Sequence, residues 1–163
     1  MLTQDDVARM PLDKRLDRLA RTADTLVATV SGESDVVLGR RPDVKNWAPK
    51  EVLCHLRDTE ESFGVRFAMI AAMDEPRFLP VDVDRWAEER QYLRNDAAEV
   101  IRAFRRRREE SLTHLRGLAP EGWQRGGLHP TRGRMTVSDF VVLMVWHDDN
   151  HLEQIRRGLK GEA

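Results

Sequence analysis

The residues of this chain whose types and spacing first suggest chemistry are the two histidines of Trp146-His147-Asp148-Asp149-Asn150-His151. They stand four apart in an apolar run with helical spacing. Four residues on an α-helix amount to one turn plus about 40°, so both imidazoles leave one face roughly 6 Å apart. At that separation two side chains can close on one metal ion. Two ligands do not make a site, however, and a bare His-x-x-x-His also fits two partly exposed, hydrogen-bonded imidazoles. The question is whether the chain brings a third ligand to this face.

The pattern differs from the His-Glu-x-x-His of zincins, because Asp148 stands where that motif has glutamate and no histidine follows His151. The third ligand is therefore sought upstream, among His55, His114 and His129. His55 borders the inner stripe of a helix. His114 lies beside a stripe between Glu110 and Leu118 and reads as a surface histidine. His129 precedes Pro130 in a loop, where it either lies near a site mouth or anchors the loop. Three imidazoles from two helices would cap one hemisphere of an ion and leave the other open, as catalytic sites do. Zinc, nickel and ferrous iron all accept such ligands.

Other candidates are charged. Glu60 and Arg108 each interrupt an otherwise apolar inner stripe, and an unpaired buried charge would cost several kcal/mol. They are expected to pair across the interior or to line a cavity. Asp58, Glu60 and Asp148 are candidates for orienting a ligand or acting as general base, and Arg108 for orienting an anionic substrate. Cys54 sits about 100° around its helix from His55 and reads as a buried, inert thiol.

Four amphipathic helices must position these residues. The first runs from about Pro11 to Val30, with Leu12, Leu16, Leu19, Ala23, Leu26 and Val30 inside, and ends at Ser31-Gly32. The second opens at Pro49, with Glu51 able to reach back to the helix start, and continues to about Met73. Its stripe is Leu53, Leu56, Glu60, Phe63, Phe67 and Ile70. Pro76 and Pro80 then force a long crossover, Asp74 to Tyr92, with a short helix expected near Arg85–Glu89. The third helix starts at an Asp96 N-cap, with Glu99 placed for a capping box, and ends near Leu118. In its Arg105 to Arg108 run most residues read as a solvated face. A loop through Trp123, His129-Pro130 and Gly133 leads to Thr136, the N-cap of the fourth helix, which runs to Leu159. With no strand-like alternation anywhere, the pattern is all-α, a four-helix bundle.

Bulk composition agrees. At 163 residues the chain is expected to form a single domain spanning 1–163. Charged residues make up 34% of it and aromatics 6%, with a formal net charge of −1. That balance speaks against a dedicated nucleic-acid binder. A single cysteine permits no intrachain disulfide, the acidic N-terminus lacks signal-peptide character, and no apolar run approaches the ~20 residues of a membrane span. A cytoplasmic location is expected.

Three stretches together resemble the DinB-like superfamily, which includes the YfiT-type proteins assigned as metal-dependent hydrolases. They are Asn46-Trp47-Ala48-Pro49-Lys50-Glu51-Val52-Leu53-Cys54-His55-Leu56-Arg57-Asp58, then His129-Pro130-Thr131-Arg132-Gly133-Arg134, then His147 through Ile155. The resemblance implies an up-down-down-up bundle with the long crossover between helices two and three. It assigns a divalent metal to His55, His147 and His151. It also implies homodimerisation, a small-molecule substrate, and hydrolase chemistry or S-transfer with a low-molecular-weight thiol. The alternative is a non-catalytic stress-response or metal-binding bundle. Ala48 stands where that family usually has serine, which removes an N-cap oxygen worth about 0.5–2 kcal/mol.

Overall fold

A computed structural model describes residues 2–163. The four long helices are α2 (Leu12–Val30), α4 (Pro49–Ala72), α6 (Ala97–Arg116) and α7 (Val137–Leu159), and shorter helices α1 (Gln4–Ala8), α3 (Asp35–Leu38) and α5 (Val83–Glu89) flank them. No helix among the described residues is long and apolar enough to cross a membrane. Local sequence explains the boundaries. Gly32 at φ +82° ends α2 in the left-handed conformation. Thr136 and Asp139 form a complete capping box at α7. At α6 only half of the expected box forms: Asp96 accepts from the Glu99 amide at 2.8 Å, while the Glu99 carboxylate turns away to Arg102.

Contacting pairs fix the topology. Phe63 meets Phe140 while His55 meets His147 and His151, so α4 and α7 run antiparallel. Arg57 reaches Asn95 and Phe67 stacks on His114, so α4 and α6 run parallel. Arg15 bonds Ser138 and Thr22 bonds Asp148, which makes α2 and α7 parallel as well. The result is the up-down-down-up bundle with its long crossover between α4 and α6.

The segment read as a loop before α7 contains a two-stranded antiparallel sheet, β1 (Gly126–His129) and β2 (Gly133–Thr136), which corrects the strand-free reading. Four-residue strands are too short to show an alternation in sequence. Close approach is instead written in the glycines. A Cβ on Gly126 would lie 2.3 Å from the Met135 carbonyl, and one on Gly127 would lie 2.5 Å from both Phe78 Cζ and Pro76 O. The crossover adds to this sheet through Phe78 N–H to Leu128 O at 3.0 Å and Leu128 N–H to Pro76 O at 2.8 Å.

The core is not continuous. Leu19, Phe63, Phe67, Leu112, Leu115, Phe140 and Met144 belong to one apolar cluster, and Ala23, Leu26, Leu53, Leu56, Phe104, Leu152 and Ile155 to another. On each long helix a buried polar residue stands where the chain passes between the clusters, Thr22, Glu60, Arg108 and Asp148, with Asp58 and Ser111 beside them on α4 and α6. A polar layer thus divides the bundle, next to the histidines.

Candidate metal centre

Helix α4 brings up His55 from a firmly held start. Pro49 occupies the first turn, and the Glu51 carboxylate accepts the Ala48 amide at 2.9 Å and the Arg41 guanidinium at 2.7 Å. This is the carboxylate half of a capping box; the half that a side-chain oxygen at position 48 would supply is absent. At the seventh residue of the helix, His55 is buried against Trp47, with ring centroids 5.2 Å apart. His147 and His151 face it from α7. The Nε2 atoms of His55 and His147 are 2.9 Å apart, and one ligand nitrogen from each of the three rings lies within 4.8 Å of the others.

Burial keeps two of these rings, His55 and His151, neutral. Burial, reinforced by the neighbouring imidazoles, pushes His55 down to about 2 and His151 down to about 4. Neutral imidazole is the form that ligates metals. His151 Nδ1 lies 2.8 Å from Gln154 Oε1; the amide oxygen can only accept, so that nitrogen carries the proton and Nε2 keeps its lone pair for the cluster. His147 Nδ1 is buried with no hydrogen-bond partner, 3.8 Å from Asp148 Oδ1. Two uncharged rings, ligand nitrogens turned toward one another and an outer nitrogen beside a carboxylate make a donor set that fits a divalent ion.

Behind His147 stands the polar layer. Asp148 Oδ2 accepts from the Thr22 hydroxyl at 2.8 Å and from Arg108 Nη1 at 2.7 Å, and Arg108 Nη2 bonds Glu60 Oε2 at 2.7 Å. Arg108 also donates to the Leu19 carbonyl at 3.0 Å. The pairing expected of Glu60 and Arg108 across the bundle is present, with Asp148 as a third member. Burial alone would raise the Asp148 carboxyl, but the Arg108 charge holds it far below the usual carboxylate range. A carboxylate so engaged stays charged, with Oδ1 turned toward His147 Nδ1 at 3.8 Å.

Asp58 lies elsewhere. It binds Arg57 at 2.7 Å, the Tyr92 hydroxyl at 2.8 Å and Arg90 at 2.9 Å, tying the crossover to α4 with no contact to the histidines. Cys54 points to the Tyr92 carbonyl, and burial pushes its thiol up to about 12. His114 stacks on Phe67 away from the cluster. His129 anchors the hairpin turn by accepting the Thr131 amide at 3.3 Å, and its ring stands 6.5 Å from Phe140. Four contributors escaped the sequence reading: Trp47, Thr59 (3.4 Å from His55 Nε2), Gln154 and Thr22. Gln154 carried a readable signal, since it sits three residues after His151 on the same face. A cavity of about 270 Å³ lined by Asn46, Trp47, Asn150, His151 and Gln154 reaches the cluster from outside.

Comparison with known proteins places this arrangement. Residues 18–155 match the model of the DinB superfamily. A curated protein of Oceanobacillus iheyensis named "Putative metal-dependent hydrolase" is 27% identical over 113 residues, or 67% of this chain; the match spans 63% of that relative's length. Among solved structures, YfiT from Bacillus subtilis superposes with a TM-score of 0.86 at 22% identity, covering all of this chain and 92% of YfiT. Its published description is "a probable metal-dependent hydrolase with an unusual four-helix bundle topology". A mycothiol-dependent maleylpyruvate isomerase superposes at 0.72 with 12% identity, over 95% of this chain and 63% of the isomerase. At these identities the two structures establish the fold alone.

Proposed function

Because the chain belongs to the DinB superfamily, we propose that it is a metal-dependent enzyme in which His55, His147 and His151 hold a divalent ion, zinc, nickel or iron. The convergence of three imidazoles, one buried and two half-buried, within 4.8 Å carries this reading. Bound there, such an ion supplies Lewis acidity, lowering the pKa of a water or thiol presented to it. The chain's own residues do the rest. Gln154 and Asp148 set the orientation of His151 and His147, Glu60 and Arg108 hold Asp148 in place, and Trp47 walls the His55 side. The substrate is a small molecule reaching the open face. Hydrolysis is supported by the name of the Oceanobacillus relative, and transfer to a low-molecular-weight thiol by the fold shared with a mycothiol-dependent enzyme. A cytoplasmic homodimer completes the proposal.

Elemental analysis of purified protein after incubation with each metal tests the site: one ion per chain is expected, and no uptake would end the reading. Screening the loaded protein for ester and amide hydrolysis and for thiol conjugation separates an enzyme from a bundle that only binds metal. Light scattering on the eluted peak tests the dimer.

A further inference from the structure

Seven arginines are withdrawn from full exposure, and six of them, Arg15, Arg18, Arg57, Arg105, Arg107 and Arg108, donate to a side-chain or backbone oxygen. The seventh, Arg66, makes no hydrogen bond or ion pair among the described residues. Its guanidinium instead lies 5.9 Å from the Phe63 ring centroid and 5.7 Å from those of Phe78 and Phe140. Ring faces engage the guanidinium through its charge and leave the N–H edges unused. Part-burial on this apolar face disfavours the charge, and the rings offer its donors no acceptor. In the hairpin, His129 feels Arg66 and Arg132 as positive charges. No carboxylate lies within ion-pair range of Arg66 among the described residues.

Position links this cation to the histidines. His55, Thr59, Ser62 and Arg66 follow one another at four, three and four residues, one stripe of α4. Phe63 connects the two ends laterally, since its ring stands 6.2 Å from His147 and also beneath the guanidinium. Eleven residues of helix span about 16 Å between the Cα atoms of His55 and Arg66, and a helical side chain leans toward the N-terminus, which shortens the gap.

We propose that Arg66 is a carboxylate-binding residue, the anchor for the acidic group of a small organic acid whose reacting part lies at the histidine cluster. A carboxylate matches the free N–H edge in a two-point, charge-assisted bond and supplies the acceptor that the rings cannot. The term substrate rests on the metal-site reading; the anion site itself does not.

The test uses ¹⁵N-labelled full-length protein, titrated with benzoate and with its neutral counterpart benzamide, metal-free and after zinc loading. Benzoate is expected to shift the Arg66 Nε–H resonance and the amides of His129 and Phe140 in both forms, and benzamide to leave them in place. Arg66→Gln should weaken benzoate binding at least about tenfold, and Arg66→Lys, which keeps the charge without the fork, should fall between. Benzamide acting like benzoate would overturn the proposal without any variant. Unchanged benzoate affinity in either Arg66 variant, or binding confined to the zinc-loaded protein, would overturn it too. Zinc content measured on the same samples keeps the two readings apart: benzoate bound at Arg66 with no zinc taken up would end the metal proposal and leave this one standing.

Discussion

Replacing Arg108 by methionine tests the polar layer, because it removes the only cation between two buried carboxylates. Glu60 and Arg108 are 1% and 2% exposed, and Asp148 is 3% exposed. Arg108→Met fills a similar volume but strips Glu60 Oε2 and Asp148 Oδ2 of their charged donor, leaving Asp148 with the Thr22 hydroxyl alone. Losing one partner of a buried ion pair costs about 3–5 kcal/mol. For a chain of this length that is a fall in Tm of roughly 6–20 °C. The sign with pH follows from the same geometry. Without Arg108, burial raises the Asp148 carboxyl in the folded variant, so it takes up a proton as pH falls, and the deficit against the native protein narrows below neutrality.

Urea denaturation of both proteins at pH 7 and pH 5 measures this directly. A deficit under about 1 kcal/mol at pH 7, or one that stays constant with pH, would refute the layer as an electrostatic unit. A triple variant, Glu60→Leu with Arg108→Met and Asp148→Leu, sharpens the test. It should recover much of the lost stability, since buried ion pairs are commonly replaceable by apolar groups. It should still bind zinc about 10- to 100-fold more weakly, because His147 has lost its prop. Recovery of stability together with native zinc affinity would mean that Asp148 serves folding alone.

Further outcomes are expected. His55→Ala, and separately His147→Ala, should abolish stoichiometric metal uptake with little change in circular dichroism, while His114→Ala should take up metal normally; elemental analysis reads all three. The metal-free protein should lose stability as pH falls. An unfolded histidine titrates near ~6.5, so from there down to about 4, the value to which burial holds His151, the unfolded chain binds a proton that the folded one refuses. Urea midpoints at pH 7 and pH 5 should differ in that direction. Gly127→Ala should destabilise by about 1–3 kcal/mol, since its Cβ would meet Phe78 Cζ and Pro76 O at 2.5 Å. Ala48→Ser should stabilise by about 0.5–1 kcal/mol by giving α4 the cap oxygen it lacks. Thermal denaturation checks both.

What the sequence disclosed depended on the range of the cause. Helix starts at Asp96 and Thr136, the stop at Gly32 and the stripes of α2, α4, α6 and α7 all arise within a few residues, and the structure follows them closely. The hairpin was not legible, because Gly126 and Gly127 are required by Met135, Pro76 and Phe78, which come from other segments. Asp58 shows the converse. A carboxylate three residues after His55 looked placed for the site, yet the crossover, through Arg90 and Tyr92, captures it from outside.

Glu60 and Arg108 were visible as charges in apolar stripes, but charge complementarity alone could not supply the third member. That member follows from helix direction. Once α2 runs parallel to α7 and antiparallel to α6, Thr22, Arg108 and Asp148 must share one level, and Asp148 is one residue from His147. A bundle built for stability alone would place leucines at that level. Instead the apolar clusters part there on all four helices, and the residues that part them support a histidine of the cluster. Mutation at this layer is therefore expected to split folding from metal binding, and the triple variant is where the two come apart.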